Sequence, residues 1–170
     1  YTCMTLLRRH KYSIILLSIY WPAIFILTHI PVPILARQSG MSDKTMHFLA
    51  YMALVFFLWL AISPYQKVDW KKAKAWVILV VIVWYGVFDE WLQGKVGRNA
   101  DIIDIVADLS GAVTGLLILS IFSFWPAALV VAAIFIFAGA NLSRIIMLPQ
   151  INTWFHFAGY TAFTLIWIQY

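Results

Sequence analysis

The residues best suited to chemistry in this chain are carboxylates, a histidine and an arginine set at the ends of apolar runs. In SDKTMHFLAYMALVFFLWLAI, residues 42–62, Asp43, His47 and Tyr51 are separated by four, and Lys44 lies three before His47. On a helix that spacing stacks them on one face. In YGVFDEWLQGKVGR, Gly86, Glu90 and Gln93 share a face near the end of the next apolar run, and Arg98 follows. In RNADIIDIVADLSGAVTG, Asp104, Asp108, Gly111 and Gly115 are spaced by 4, 3 and 4, with Asp101 extending the stripe. Carboxylates beside a histidine can bind or transfer protons. Arg98 suits a bidentate carboxylate pair or a phosphate, and Lys44 is the other available cation. Gly111 and Gly115 form a small-xxx-small pair that lets a second helix approach closely. The acidic stripe continuous with it is therefore expected to point into a bundle.

The elements that must position these groups are set by composition. The chain of 170 residues is 64% hydrophobic and 11% charged, where soluble domains carry about 25% charged residues. So apolar a chain is an integral membrane protein. Its formal charge of +5 is read span by span, and no nucleic-acid partner is expected, because no soluble basic patch exists. The single cysteine, Cys3, forms no intrachain disulfide. The first residue is not Met and the last falls in an apolar run, so a longer polypeptide is expected.

The expected fold class is all-α, a polytopic transmembrane helix bundle of about six spans. A spanning helix needs about 20 mostly apolar residues. Candidates lie at residues 12–30, 45–63, 74–93, 102–124, 126–140 and 154–170, with a kink expected at Pro22 in the first. The apolar run of that first span exceeds a signal-peptide core. With the N-terminus inside, Arg8, Arg9, Lys11, Lys67, Lys71, Lys72 and Lys74 fall on the inner side, and Arg37, Lys44, Lys95, Arg98 and Arg144 on the outer. Trp59, Tyr65, Trp70, Trp76 and Trp125 then form an inner aromatic belt.

On this layout only Asp69 is an inner acid. Asp43, Asp89, Glu90, Asp101, Asp104 and Asp108 all map to outer span ends, as do His29, His47 and His156. Asp104 and Asp108 lie roughly 3 to 9 Å past the start of their span. Carboxylates at that depth require cationic partners or retained protons. One reading is a structural network locking four helix ends together. The other is a functional pocket, which the one-sidedness of the whole set favours.

The ordered set DKTMHFLAY, DEWLQ, GR and DIVADLSGAVTG resembles the VanZ-like family of small bacterial membrane proteins. The resemblance covers about residues 10–124 and rests on Asp43, Lys44, His47, Phe48, Tyr51, Glu90, Gln93, Gly97, Arg98, Asp104 and Gly111. Asp108 stands where the family more often has Asn, and Val96 where Pro often precedes Gly-Arg. The family is named for a protein giving low-level resistance to teicoplanin, which acts at the outer membrane face. The resemblance thus implies a multi-pass protein of the bacterial cytoplasmic membrane, with residues 1–124 as a four-helix unit.

Residues 125–170 hold two further spans, and NTWFHFAGYTAFTLIWI aligns with DKTMHFLAYMALVFFLW. His156 pairs with His47, Phe157 with Phe48, Tyr160 with Tyr51, Ala162 with Ala53 and Asn152 with Asp43. This suggests the start of a degenerate second unit.

Three functions follow as expectations. The pocket of Asp43, Lys44, His47, Tyr51, Glu90, Gln93, Arg98, Asp104 and Asp108 would bind an envelope lipid or lipid-linked headgroup, Arg98 and Lys44 engaging its anionic part. Alternatively the chain, with 17% aromatic residues and nine tryptophans, is an accessory subunit contacted by other transmembrane helices. An acid–base or metal-assisted hydrolysis is the third, although no HExxH, nucleophile elbow or Cys–His pair is present. Neither a metal nor a cofactor is assigned, since His47 and its carboxylates lack a diagnostic ligand spacing.

Overall fold

Apolar length and helix-end chemistry together decide the architecture. The computed structural model describes residues 2–29, 42–63, 66–96, 101–143 and 149–169, and these are helical apart from short connections. The helices are α1 (Thr2–His29), α2 (Asp43–Ile62), α3 (Ala73–Lys95), α4 (Ile102–Ile121), α5 (Phe124–Ser143) and α6 (Pro149–Gln169). Four stretches are long and apolar enough to cross a membrane, His10–His29, Asp43–Ile62, Ala73–Lys95 and Ile102–Ile121. At 1.5 Å per residue, twenty residues span about 30 Å, the thickness of the hydrocarbon layer. The protein is a helical membrane bundle.

The sequence places the first span at 12–30, whereas α1 begins at Thr2 and runs without a break through Pro22. Hydropathy marks the part of a helix that suits hydrocarbon, and the helix itself continues through the basic residues Arg8, Arg9 and Lys11. The starts of α2 and α4 are fixed by side chains. Ser42 caps α2 by accepting from the Thr45 amide at 3.2 Å, and Asp101 caps α4 by accepting from the Ile103 amide at 2.9 Å. Asp43 and Asp104 then sit in first turns, where the helix dipole favours a negative charge.

Helix α2 is the centre of the bundle, with Leu49, Tyr51, Met52, Leu54, Val55, Phe56, Leu58 and Trp59 all buried. It runs alongside α4, and two glycines set the distance. A Cβ at Gly111 would overlap the Phe48 carbonyl, and one at Gly115 would come 3.0 Å from the Met52 carbonyl. Only hydrogen fits there. On the other flank the Tyr20 hydroxyl of α1 donates to the Ala50 carbonyl at 3.0 Å, and Trp21 packs edge-on against Tyr85 of α3 at 5.4 Å.

The two ends of the bundle differ in charge. At one end, Val68 N–H donates to Leu119 O at 3.1 Å, Lys67 Nζ to Ile121 O at 2.8 Å and Lys74 Nζ to Ser63 Oγ at 3.1 Å. That end is lysine-rich. The other end gathers the C-termini of α1 and α3 and the N-termini of α2 and α4, and holds every acid but Asp69.

Helices α5 and α6 pair with each other, Gly159 lying where a Cβ would meet Ile136 at 3.2 Å. The His156 and Tyr160 rings stack at 5.9 Å and 18°, as the His47 and Tyr51 rings stack at 6.5 Å and 18°. The Asn152 side chain lies outside the described residues.

Candidate functional site

Because α2 and α4 start at the acidic end and lie in contact, residues 57 to 61 apart in sequence become neighbours. Lys44 Nζ donates to Asp101 Oδ2 at 2.8 Å and to Asp104 Oδ1 at 3.3 Å. The Lys44 ammonium beside Asp101 holds its carboxyl below the usual range, helped by the Ile103 amide. One turn deeper, His47 Nδ1 lies 2.9 Å from Asp108 Oδ1, both side chains sealed from solvent. An ionised Asp108 accepts the Nδ1 proton and leaves Nε2 with the lone pair. Asp108 also presses against α3, where a Cβ on Gly86 would stand 3.1 Å from its Oδ2. Three helices therefore meet at one carboxylate.

The end of α3 wedges between α1 and α4, turning two adjacent acids to opposite sides. Glu90 faces α4 and accepts from the Asp101 amide at 2.9 Å. Its second oxygen, Oε1, is buried without a hydrogen-bond partner, although the charges of His47, Asp104 and Asp108 act on it. Asp89 faces α1, where Thr28 donates to it at 3.0 Å and His29 Nδ1 lies 3.7 Å away. Gln93 donates to Asp89 at 2.8 Å.

The structure thus brings Lys44, His47, Glu90, Asp104 and Asp108 into one region, with the Tyr51 ring stacked below His47. One ligand atom from each of Asp43, His47 and Asp104 falls within a 4.8 Å group. Gln93 is buried in the wall, joined to Asp89 and not to Glu90. Gly111 and Gly115 lie between α2 and α4 below the acids. Arg98 and Gly97 lie outside the described residues. The Lys44 ammonium, expected from the sequence to engage an anion, is paired here with Asp101 and Asp104.

Three contributors are absent from the pocket chosen by sequence: Asp89, Thr28 and Asp101. The four-residue step from Asp89 to Gln93 signals the first. Nothing local signals Thr28, which meets Asp89 across 61 residues.

An open groove of about 640 Å³ adjoins this region between α1 and α3, lined by Leu17, Ser18, Trp21, Pro22, Phe25, Tyr85 and Phe88. A family model described as VanZ/LLP1 matches residues 6–123. The chain belongs to the VanZ/LLP1 family. The matched VanZ/LLP1 segment carries α1 from residue 6 on and all of α2 to α4 with the whole acidic cluster, and it ends one residue before α5 starts. No curated protein and no solved structure matches the chain.

Proposed function

We propose that this VanZ/LLP1 membrane protein binds the headgroup of an envelope lipid or lipid-linked precursor at its acidic helix ends, with an acyl chain in the groove between α1 and α3. In this reading it is a multi-pass protein of the bacterial cytoplasmic membrane, with the N-terminus inside and the acidic end facing out. The continuity of groove and cluster carries the proposal. Phe25 lines the groove and its ring lies 4.2 Å from that of His29, while Tyr85 lines it and its ring lies 5.7 Å from that of Tyr51.

Two buried polar atoms support a ligand. Glu90 Oε1 and His29 Nε2 have no hydrogen-bond partner in the protein. An unmet buried polar group costs about 1–3 kcal/mol, which a polar ligand reaching either atom would offset. With Lys44 paired, the carboxylates receive hydroxyl or ammonium hydrogens of the headgroup, and Arg98 is the cation expected from the sequence to engage its phosphate. Gentle purification followed by mass spectrometry of retained lipid tests this. Wild type should carry a defined lipid that Arg98→Gln loses while still inserting; equal retention by both contradicts the reading.

A second reading is favoured by one surface. Trp76, Trp84 and Trp91 are 57%, 71% and 57% exposed along α3, and spacings of eight and seven put them on one face. That face suits a neighbouring transmembrane helix of a larger complex. Co-purification with a stoichiometric set of other membrane proteins would support it, and a monodisperse monomer would count against it.

A further inference from the structure

We infer that Asp43, His47 and Asp104 form a binding site for a divalent first-row transition-metal ion at the junction of α2 and α4. A carboxylate oxygen from each acid and a ring nitrogen of His47 lie within 4.8 Å of one another. Nδ1 of His47 is already engaged by Asp108 at 2.9 Å, which makes Nε2 the ligand nitrogen. That carboxylate–histidine arrangement is the one that orients an imidazole for a metal and fixes its tautomer. Two carboxylates and one imidazole suit zinc, manganese or iron better than calcium or magnesium, which prefer all-oxygen shells.

A second observation points the same way. Glu90 is 4% exposed, and its Oε1 has no hydrogen-bond partner. The side chain is held beside the same group by the Asp101 amide, and the charges of His47 and Asp104 act on it. Its oxygens fall outside the three-residue group, so in this proposal it accepts from a metal-bound water and does not ligate the ion. Charge agrees. Among the described residues, the carboxylates of Glu90, Asp101, Asp104 and Asp108 lie near Lys44, which pairs with Asp101 and Asp104. A divalent ion reduces this imbalance where three helix ends converge.

Three protein ligands leave an open coordination position, which a lipid phosphate oxygen could take. That extension rests on the lipid reading above; the ion site does not. The ion site is tested on the full chain, stripped with a chelator in phosphate-free, lipid-free detergent and titrated with Zn²⁺ or Mn²⁺ alone. One equivalent should bind, with Mg²⁺ and Ca²⁺ failing to compete at equal concentration. Asp108→Asn should weaken Zn²⁺ by about 10–100-fold, as loss of a ligand-orienting carboxylate does, and His156→Ala should leave it unchanged. Because variants can misfold, pulsed electron paramagnetic resonance of Mn²⁺-loaded wild type supplies a variant-free readout. Coupling to an imidazole nitrogen supports the site. Lack of that coupling, sub-stoichiometric binding, or equal affinity for Ca²⁺ and Zn²⁺ overturns it in favour of an ion-pair network alone.

Discussion

His47 Nδ1 and Asp108 Oδ1 lie 2.9 Å apart with side chains 4% and 2% exposed, joining α2 to α4 one turn below Lys44, Asp101 and Asp104. Breaking a buried pair from one side costs more than the pair contributes, because the remaining group loses its partner while staying buried. Asp108→Ala is expected to destabilise the bundle by about 3–5 kcal/mol. Asp108→Asn is expected to cost less, since an amide oxygen can still accept from Nδ1. Reversible unfolding in mixed detergent micelles measures both, and equal loss in the two variants would contradict the assigned bond.

The glycine contacts rank a second pair of variants. A methyl at Gly111 overlaps the Phe48 backbone, which cannot move without displacing α2, whereas a methyl at Gly86 meets only the Asp108 carboxylate at 3.1 Å. Gly111→Ala is therefore expected to cost about 1–3 kcal/mol, the usual range for overpacking, and Gly86→Ala less. Thermal unfolding of the two purified variants gives the order, and the reverse order would refute the close approach of α2 to α4.

The α2–α4 relationship was the most legible part of the site, because Asp104, Asp108, Gly111 and Gly115 repeat at helical spacing and a stripe of that kind can face only inward. The first four spans were legible for the same reason of scale: twenty apolar residues have few alternatives, and these four recur as long apolar helices. The partners were not. Lys44 looks like a free cation in the sequence, and only packing brings Asp101 and Asp104 to it. Gln93 shares a face with Glu90 by spacing, yet it bonds Asp89 because α3 turns that acid toward Thr28 of α1. Tertiary neighbours 57 to 61 residues apart leave no local periodic trace.

Acid should loosen this end of the bundle. The carboxyl of Asp101 is held below its ordinary value of 3.8 by Lys44 and the Ile103 amide. A lowered folded-state value means the stabilising contribution is complete above that ordinary value and is lost as pH falls through the lower, folded one. The unfolding temperature of wild type should thus fall more steeply below about pH 4 than that of Lys44→Met, which lacks the partner. Parallel slopes in the two proteins would show that the Lys44–Asp101 contact contributes nothing to the pH response.

The central claim, that groove and acidic cluster hold one lipid, is tested most directly by adding lipid to delipidated protein and following binding by native mass spectrometry. Ser18→Trp fills the groove from an exposed lining position without touching the cluster. Glu90→Gln removes a buried charge of the cluster without touching the groove. Both variants are expected to lose the same lipid by tenfold or more in affinity, about 1.4 kcal/mol, while other lipids bind as to wild type. Loss in one variant with wild-type binding in the other would separate the two features and contradict a single site.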